Sequence, residues 1–228
     1  MRPELRRFGT TQSPVVVIDE FSGDAEAAAT LAEALAPFPP DADSYYPGIR
    51  RLIDERDADA FAYVQEVCRE AAQFIAGAFE VERFDLLRAS FSMVTAKPAE
   101  LRPVQRAPHF DSPDQKYLAL LHYLHVPVGT GTAFYRQRST AIERVTEKNI
   151  GAFVRAAAAD AAQLPPDSGY ITGSNAYFEQ IGAVDAVPDR LIIYQGSLLH
   201  SGIIPAGANF SADPRQGRLT ANIFVQGH

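Results

Sequence analysis

A single cysteine, Cys68, in 228 residues excludes an intramolecular disulfide framework and any zinc or iron–sulfur site built from several thiolates. A reducing, cytoplasmic setting is the expectation that follows. Long apolar runs are missing too. The longest near the start is Val15–Ile18, far short of a signal peptide's apolar region or the roughly 20 residues that span a bilayer. Neither export nor a membrane partner is therefore expected. Positive charge is scarce: 21 Lys and Arg stand against 28 acids, for a formal charge of −7, which argues against a nucleic-acid surface. The densest basic group, Arg102, Arg106, Arg136 and Arg138, suits an anionic small molecule or acidic peptide better than a phosphate backbone. No polar linker or internal repeat interrupts the chain, so residues 1–228 read as one domain.

What is present is enough to build a core. Hydrophobic residues make up 46% and charged residues 21%, ordinary values for a folded soluble chain. In the first third, Val15–Asp19 reads as a short buried strand and Asp24–Leu35 as an alanine-rich helix with early acids. A Pro-rich loop, Ala36–Pro47, follows. Ala58–Phe79 carries Phe61, Val64, Val67, Cys68, Ala71, Phe74 and Ile75 at helical spacing. Residues 1–83 are thus expected to be a mainly helical support. From Phe84 the texture changes to strands: Phe84–Thr95, Tyr117–Val126, Thr132–Arg136, Leu191–Tyr194, Leu198–Ile204 and Leu219–Gln226. One helix, Ala141–Leu164, is expected between them, closed by Pro165–Pro166. The class implied is α+β: N-terminal helices, then over 84–228 a double-stranded β-helix, a form of jelly roll, with one inserted helix.

Five histidines carry most of the chemistry on offer, at 109, 122, 125, 200 and 228. In Pro108-His109-Phe110-Asp111 an extended backbone would put His109 and Asp111 on one face. His200 emerges from the apolar stretch Leu198-Leu199-His200-Ser201-Gly202. Together these could place two imidazoles and one carboxylate on one wall, the facial triad of non-haem Fe(II) sites. Arg218 and Thr220 share a face at the start of the last strand, and a guanidinium with a neighbouring hydroxyl is well made for a terminal carboxylate. His125 reads as a rim residue and His228 as a disordered chain end. Cys68 reads as a small hydrophobe on a helix's apolar face.

The order H-x-D, distal His, Arg-x-Thr resembles the Fe(II)/2-oxoglutarate-dependent dioxygenase superfamily, in its prolyl-4-hydroxylase-like branch. Leu120-Leu121-His122-Tyr123-Leu124-His125 is similar to that family's "llYLN" strand and Gly129-Thr-Gly-Thr-Ala-Phe134 to its "GGxTxF" turn, with a weaker echo at Pro14–Phe21. The resemblance implies that His109, Asp111 and His200 ligate Fe(II). It implies too that Arg218, aided by Thr220 and the Tyr123 hydroxyl, binds the distal carboxylate of the co-substrate 2-oxoglutarate. Strand parity then turns His122 away from the site if Tyr123 faces it. The activity implied is hydroxylation of a small molecule, amino acid or peptide, with release of succinate and carbon dioxide. Two other readings stay open on sequence: a cupin-like metal enzyme that does not use 2-oxoglutarate, and a non-catalytic jelly-roll binding module.

Overall fold

The computed structural model describes residues 1–40, 45–165 and 167–228. It begins with a hairpin, β1 (Arg2–Phe8) and β2 (Ser13–Asp19), followed by α1 (Ala25–Ala34), β3 (Gly48–Ile53), α2 (Ala58–Phe79) and β4 (Phe84–Val94). After two short 3-10 turns come β5 (Tyr117–His125), β6 (Gly131–Gln137), α3 (Ile150–Gln163), β7 (Phe178–Asp185), β8 (Arg190–Gln195), β9 (His200–Ile203) and β10 (Leu219–Gly227). Seven strands form one sheet in the order β1-β2-β8-β5-β10-β4-β3, and β7-β6-β9 form a second. Every strand pairing in them is antiparallel.

Alternation along the strands sorts side chains into layers. One face of the large sheet, with Val16, Ile18, Leu118, Leu120, Ile193, Ala221 and Ile223, packs against Ala28, Ala29 and Ala32 of α1 and Val64, Val67, Ala71 and Ile75 of α2. The other face, with Val17, Ala119, Tyr123, Ile192, Tyr194 and Phe224, meets Phe134 and Val184 of the small sheet. Side chains such as Ile193 and Val64 are completely buried, each worth about 1.5–3 kcal/mol over an exposed position. The helices begin and end where local chemistry directs: Asp24 caps α1 by accepting from Ala27 N–H at 3.0 Å, and α2 stops at left-handed Glu80.

Three strands were not expected, and all three are sheet edges: β1, β3 and β7. An edge strand is half-buried and often charged. The alternation that marks a strand is accordingly weak in Arg2-Pro-Glu-Leu-Arg-Arg-Phe8. The first 83 residues therefore contribute two unforeseen strands, β1 and β3, to the large sheet besides their helices. The Pro-rich loop falls partly outside the described residues, and so does Pro166. His228 is not disordered: its N–H donates to Arg83 C=O at 2.9 Å and its ring pairs with Asp85.

The expected helix over Ala141–Leu164 starts nine residues later than its apolar pattern suggested, at Ile150. Asn149 accepts from Thr146 N–H at 2.7 Å and closes a turn before the helix. Glu143 in the freed segment has another use. Its fully buried carboxylate accepts the N–H and hydroxyl groups of Thr10 and Thr11 in the β1–β2 turn, at 2.7–3.0 Å, and pairs with Arg136. Gly9, at φ +70°, allows this approach, since a Cβ there would collide with the carboxylate. A second polar cluster ties the helical layer to the sheet: His122 binds the Tyr63 hydroxyl at 2.7 Å and Asp189 at 3.0 Å. Asp189 in turn accepts from Ser22 and Gly23.

Burial by itself would raise the Glu143 carboxyl, but the N–H groups of Thr11 and Thr10 and the Arg136 guanidinium outweigh it and hold the group down to about 2. A group whose folded value is depressed contributes stability above its unfolded value and loses it as pH falls through the folded one. Glu143→Gln should therefore destabilise the fold at pH 7 by about 2–3 kcal/mol. In denaturant titrations at several pH values, the gap to wild type should shrink between the ordinary value of 4.5 and about 2. A gap independent of pH over that range would contradict the account.

Candidate metal centre and its cavity

The triad is assembled by backbone hydrogen bonds before any side chain is considered. His109 N–H donates to His200 C=O and His200 N–H to His109 C=O, both at 2.9 Å, so the 109 segment lies as an extra rung beside β9. Asp111 N–H donates to Gly196 C=O at 2.7 Å. Gly196 is needed bare there, because a Cβ would sit 2.6 Å from Tyr117 Cδ1 and 3.1 Å from Asp111 Cβ.

One possible ligand atom from each of His109, Asp111 and His200 lies within 4.8 Å of the others. His200 Nε2 is 3.5 Å from Asp111 Oδ2, and His109 Nε2 is 4.0 Å from Asp111 Oδ1. Nδ1 of His200 donates to Leu198 C=O at 2.7 Å, which fixes the tautomer and turns the Nε2 lone pair toward Asp111. Burial pushes the His200 imidazole down to about 4, with the Leu198 carbonyl opposing, so the ring is neutral at pH 7. Burial and His200 likewise lower His109, although half of its side chain is open to solvent. Burial raises the Asp111 carboxyl. Its Oδ2 is buried with no hydrogen-bond partner among the described residues. Two neutral imidazoles and a carboxylate oxygen left unpaired form a donor set fitted to a divalent cation, and Fe(II) fits it.

Beside the triad, the inner face of the large sheet presents polar and aromatic side chains in rows. Cross-strand register sets Arg50, Ser92, Thr220 and Tyr123 in one row, and Arg88, Phe224, Ala119 and Tyr194 in another. The Tyr194 ring stands edge-on to His200 at 4.8 Å. Arg218 is buried at 5% exposure, with its guanidinium 5.7 Å above the centre of the Tyr123 ring. Its Nε has no hydrogen-bond partner, and no carboxylate pairs with it among the described residues. An uncompensated buried guanidinium is costly, and an anion in the cavity would relieve the cost.

Two hydroxyls expected beside Arg218 are engaged elsewhere. Thr220 donates to Asn222 Oδ1 at 2.8 Å, and Tyr123 shares a 2.7 Å hydrogen bond with Thr132. Tyr123 supports the guanidinium with its ring face, and Thr132 joins the cavity wall. His122 faces away, as parity required. His125 is an exposed strand end bonded to Gly217 C=O at 2.7 Å.

The arginine group expected to receive an anion does not form one site. Arg136 is neutralised by Glu143 and Glu179, Arg138 donates to Asn175 C=O, and Arg106 donates to Leu101 and Pro165 carbonyls. Cavity residues the sequence reading passed over are Arg50, Arg88, Ser90, Ser92 and Asn222. A signal for three of them was available in β4, where Arg88, Ser90 and Ser92 alternate with Ala89, Phe91 and Met93.

The model for the family of unknown function DUF6445 matches residues 1–225. The chain belongs to that family. No curated protein matches this DUF6445 chain. Among solved structures it is similar to the epimerase SnoN in complex with Fe3+, alpha ketoglutarate and nogalamycin RO, at 13% identity and TM-score 0.57, covering 95% of this chain and 80% of that one. The alpha ketoglutarate dependent carbocyclase SnoK from nogalamycin biosynthesis is 9% identical at TM-score 0.57, covering 95% and 81%. The viral collagen prolyl hydroxylase of Paramecium Bursaria Chlorella virus-1, solved with 2-oxoglutarate, is 12% identical at TM-score 0.50, covering 94% and 96%. The fold of this DUF6445 chain is thus the double-stranded β-helix of the 2-oxoglutarate–Fe(II) oxygenases, as its sequence resemblance implied. No helix among the described residues is long and apolar enough to cross a membrane.

His109→Ala, Asp111→Ala and His200→Ala should each abolish tight binding of Fe(II) in anaerobic titration while leaving the melting temperature within a few degrees. Gly196→Ala retains all three donors but displaces Asp111, and should weaken the metal by about 10–100-fold. Unaltered affinity in Gly196→Ala would show that the close approach at that turn does not position Asp111.

Proposed function

We propose that this protein is a non-haem Fe(II)/2-oxoglutarate-dependent oxygenase that hydroxylates a small molecule, amino acid or peptide. The observation that carries the proposal is the presence of two unmet demands: Asp111 with an unpaired buried oxygen beside two neutral imidazoles, and Arg218 with a buried charge. His109, Asp111 and His200 would hold the metal. Arg218 would take the distal carboxylate of 2-oxoglutarate in a charge-assisted pair, with the Tyr123 ring fixing the guanidinium from below. Bound Fe(II) and 2-oxoglutarate would supply the oxygen-dependent oxidation of a substrate C–H bond, with succinate and carbon dioxide as co-products. Tyr194 and Phe134, packed edge to face at 5.3 Å, help keep water from the inner side of the site.

The solved relatives support the range of substrate kinds without choosing among them, since a fold hosts many activities. A cupin-like metal enzyme without 2-oxoglutarate would use the triad but leave the buried charge of Arg218 without a role. A non-catalytic module would leave both demands unmet.

Anaerobic addition of 2-oxoglutarate to the Fe(II)-loaded protein should produce a visible metal-to-ligand charge-transfer band, and no band is expected on either other reading. Arg218→Ala should raise the 2-oxoglutarate concentration for half-formation of that band by the equivalent of about 2–5 kcal/mol, with Fe(II) affinity unchanged. Tyr123→Phe keeps the ring and should cost about 1 kcal/mol or less. Equal loss of Fe(II) and 2-oxoglutarate binding in Arg218→Ala would assign that arginine a structural role.

A further inference from the structure

The inner face of β4 carries a cation that neither the metal nor the co-substrate uses. Arg88 lies on the inner face by register with Phe224, in line with Ser90 and Ser92. The pairing of β10 with β4 shifts between Phe224 and Val225, leaving Leu87 as the extra residue next to Arg88. A bulge of this kind re-aims the neighbouring side chain. Arg88 is exposed, yet it is held in place, with its guanidinium 5.0 Å from the centre of the Phe224 ring. Phe224 packs on Tyr117 at 5.6 Å. Tyr117 and Asp111 flank the same bare Gly196. A continuous path of contacts therefore runs from the triad through two aromatic rings to one guanidinium at the open side. No carboxylate among the described residues pairs with Arg88. The nearby inner-face positions of β4, β5 and β10 offer Ser90, Ser92, Tyr123, Thr220 and Asn222, which are neutral.

We propose that Arg88 is the substrate anchor of this site, binding a carboxylate or phosphate group on a substrate whose carbon skeleton lies beside Tyr117 and extends to the metal. This deepens the oxygenase reading and rests on it. It also moves the anion-binding role from Arg102, Arg106, Arg136 and Arg138 to a residue on the cavity wall. Arg218 is deep and buried, suited to a co-substrate that is enclosed. Arg88 is exposed, suited to a substrate group that stays in contact with solvent.

The test is anaerobic calorimetry on the Fe(II) protein saturated with 2-oxoglutarate, using 3-phenylpropionate, phenyl phosphate and the neutral 3-phenylpropanamide as probes. At least one acid should bind about five- to tenfold tighter than the amide, and the tighter acid identifies the preferred oxyanion. In Arg88→Gln that preference should vanish, with melting temperature and 2-oxoglutarate affinity unchanged. Three results would overturn the proposal: no probe binding, equal binding of acid and amide, or a preference that survives in Arg88→Gln. Acid binding that is displaced by 2-oxoglutarate and lost in Arg218→Ala would overturn it too, by placing the probes in the co-substrate pocket. If 2-oxoglutarate itself fails to bind, the oxygenase reading falls and the anchor falls with it; if 2-oxoglutarate binds and no Arg88-dependent acid preference appears, the anchor alone falls.

Discussion

The site depends on one reciprocal pair of backbone hydrogen bonds, between residues 109 and 200. Side-chain donors far apart in sequence cannot be held within a few ångströms by their own packing. A strand-like bridge solves this, because neighbouring strands fix Cα positions to within a small tolerance. The His109 and His200 rings consequently stand with centroids 4.4 Å apart. Asp111 is brought in by the same run of extended chain, anchored on Gly196 C=O. Remaining features around the triad serve this geometry: the Leu198 carbonyl orients one imidazole, and the absence of a side chain at Gly196 makes room for the carboxylate.

The space between the sheets is divided by polarity. At one end Val15, Val17, Ile192 and Phe134 close it as an ordinary core. At the other, Ser90, Ser92, Thr220 and Arg218 are buried polar groups on the same sheet face. Burying such groups is unfavourable unless they are satisfied. Thr220 finds Asn222 and Ser90 finds Ser92. Arg218 Nε and Asp111 Oδ2 find no partner. That asymmetry sets Arg218 and Asp111 apart from the satisfied polar groups around them, since a buried polar atom without a partner is unfavourable.

Polar clusters elsewhere have a different logic. Glu143 and the Tyr63–His122–Asp189 group are hydrogen-bonded and join elements far apart in sequence, Glu143 to the first hairpin and His122 to α2 and the turn before β8. Each surrounds a buried carboxylate or ring with hydrogen-bond partners, the condition under which burial stabilises a fold. Their contrast with the triad and Arg218 is one of completeness.

Much of this was legible in the residues. Helical spacing marked α2, apolar β-branched runs marked the central strands, and H-x-D, His and Arg-x-Thr in order pointed to the triad and Arg218. Local pattern and short-range parity carry that information, including the outward turn of His122. What only the tertiary structure decided involves contacts between distant segments. Edge strands such as β1 are specified by a partner more than by their own alternation. Glu143 became a buried anion because the β1–β2 turn meets it, which ended the helical reading of residues 141–149. Arg106, Arg136 and Arg138, grouped by sequence, were dispersed onto carbonyls and acids, whereas Arg88, with no basic neighbour in sequence to mark it, reached the inner sheet face through register with β10 and a bulge at Leu87. Register is a property of paired strands, so charge clustering along one chain could not reveal it.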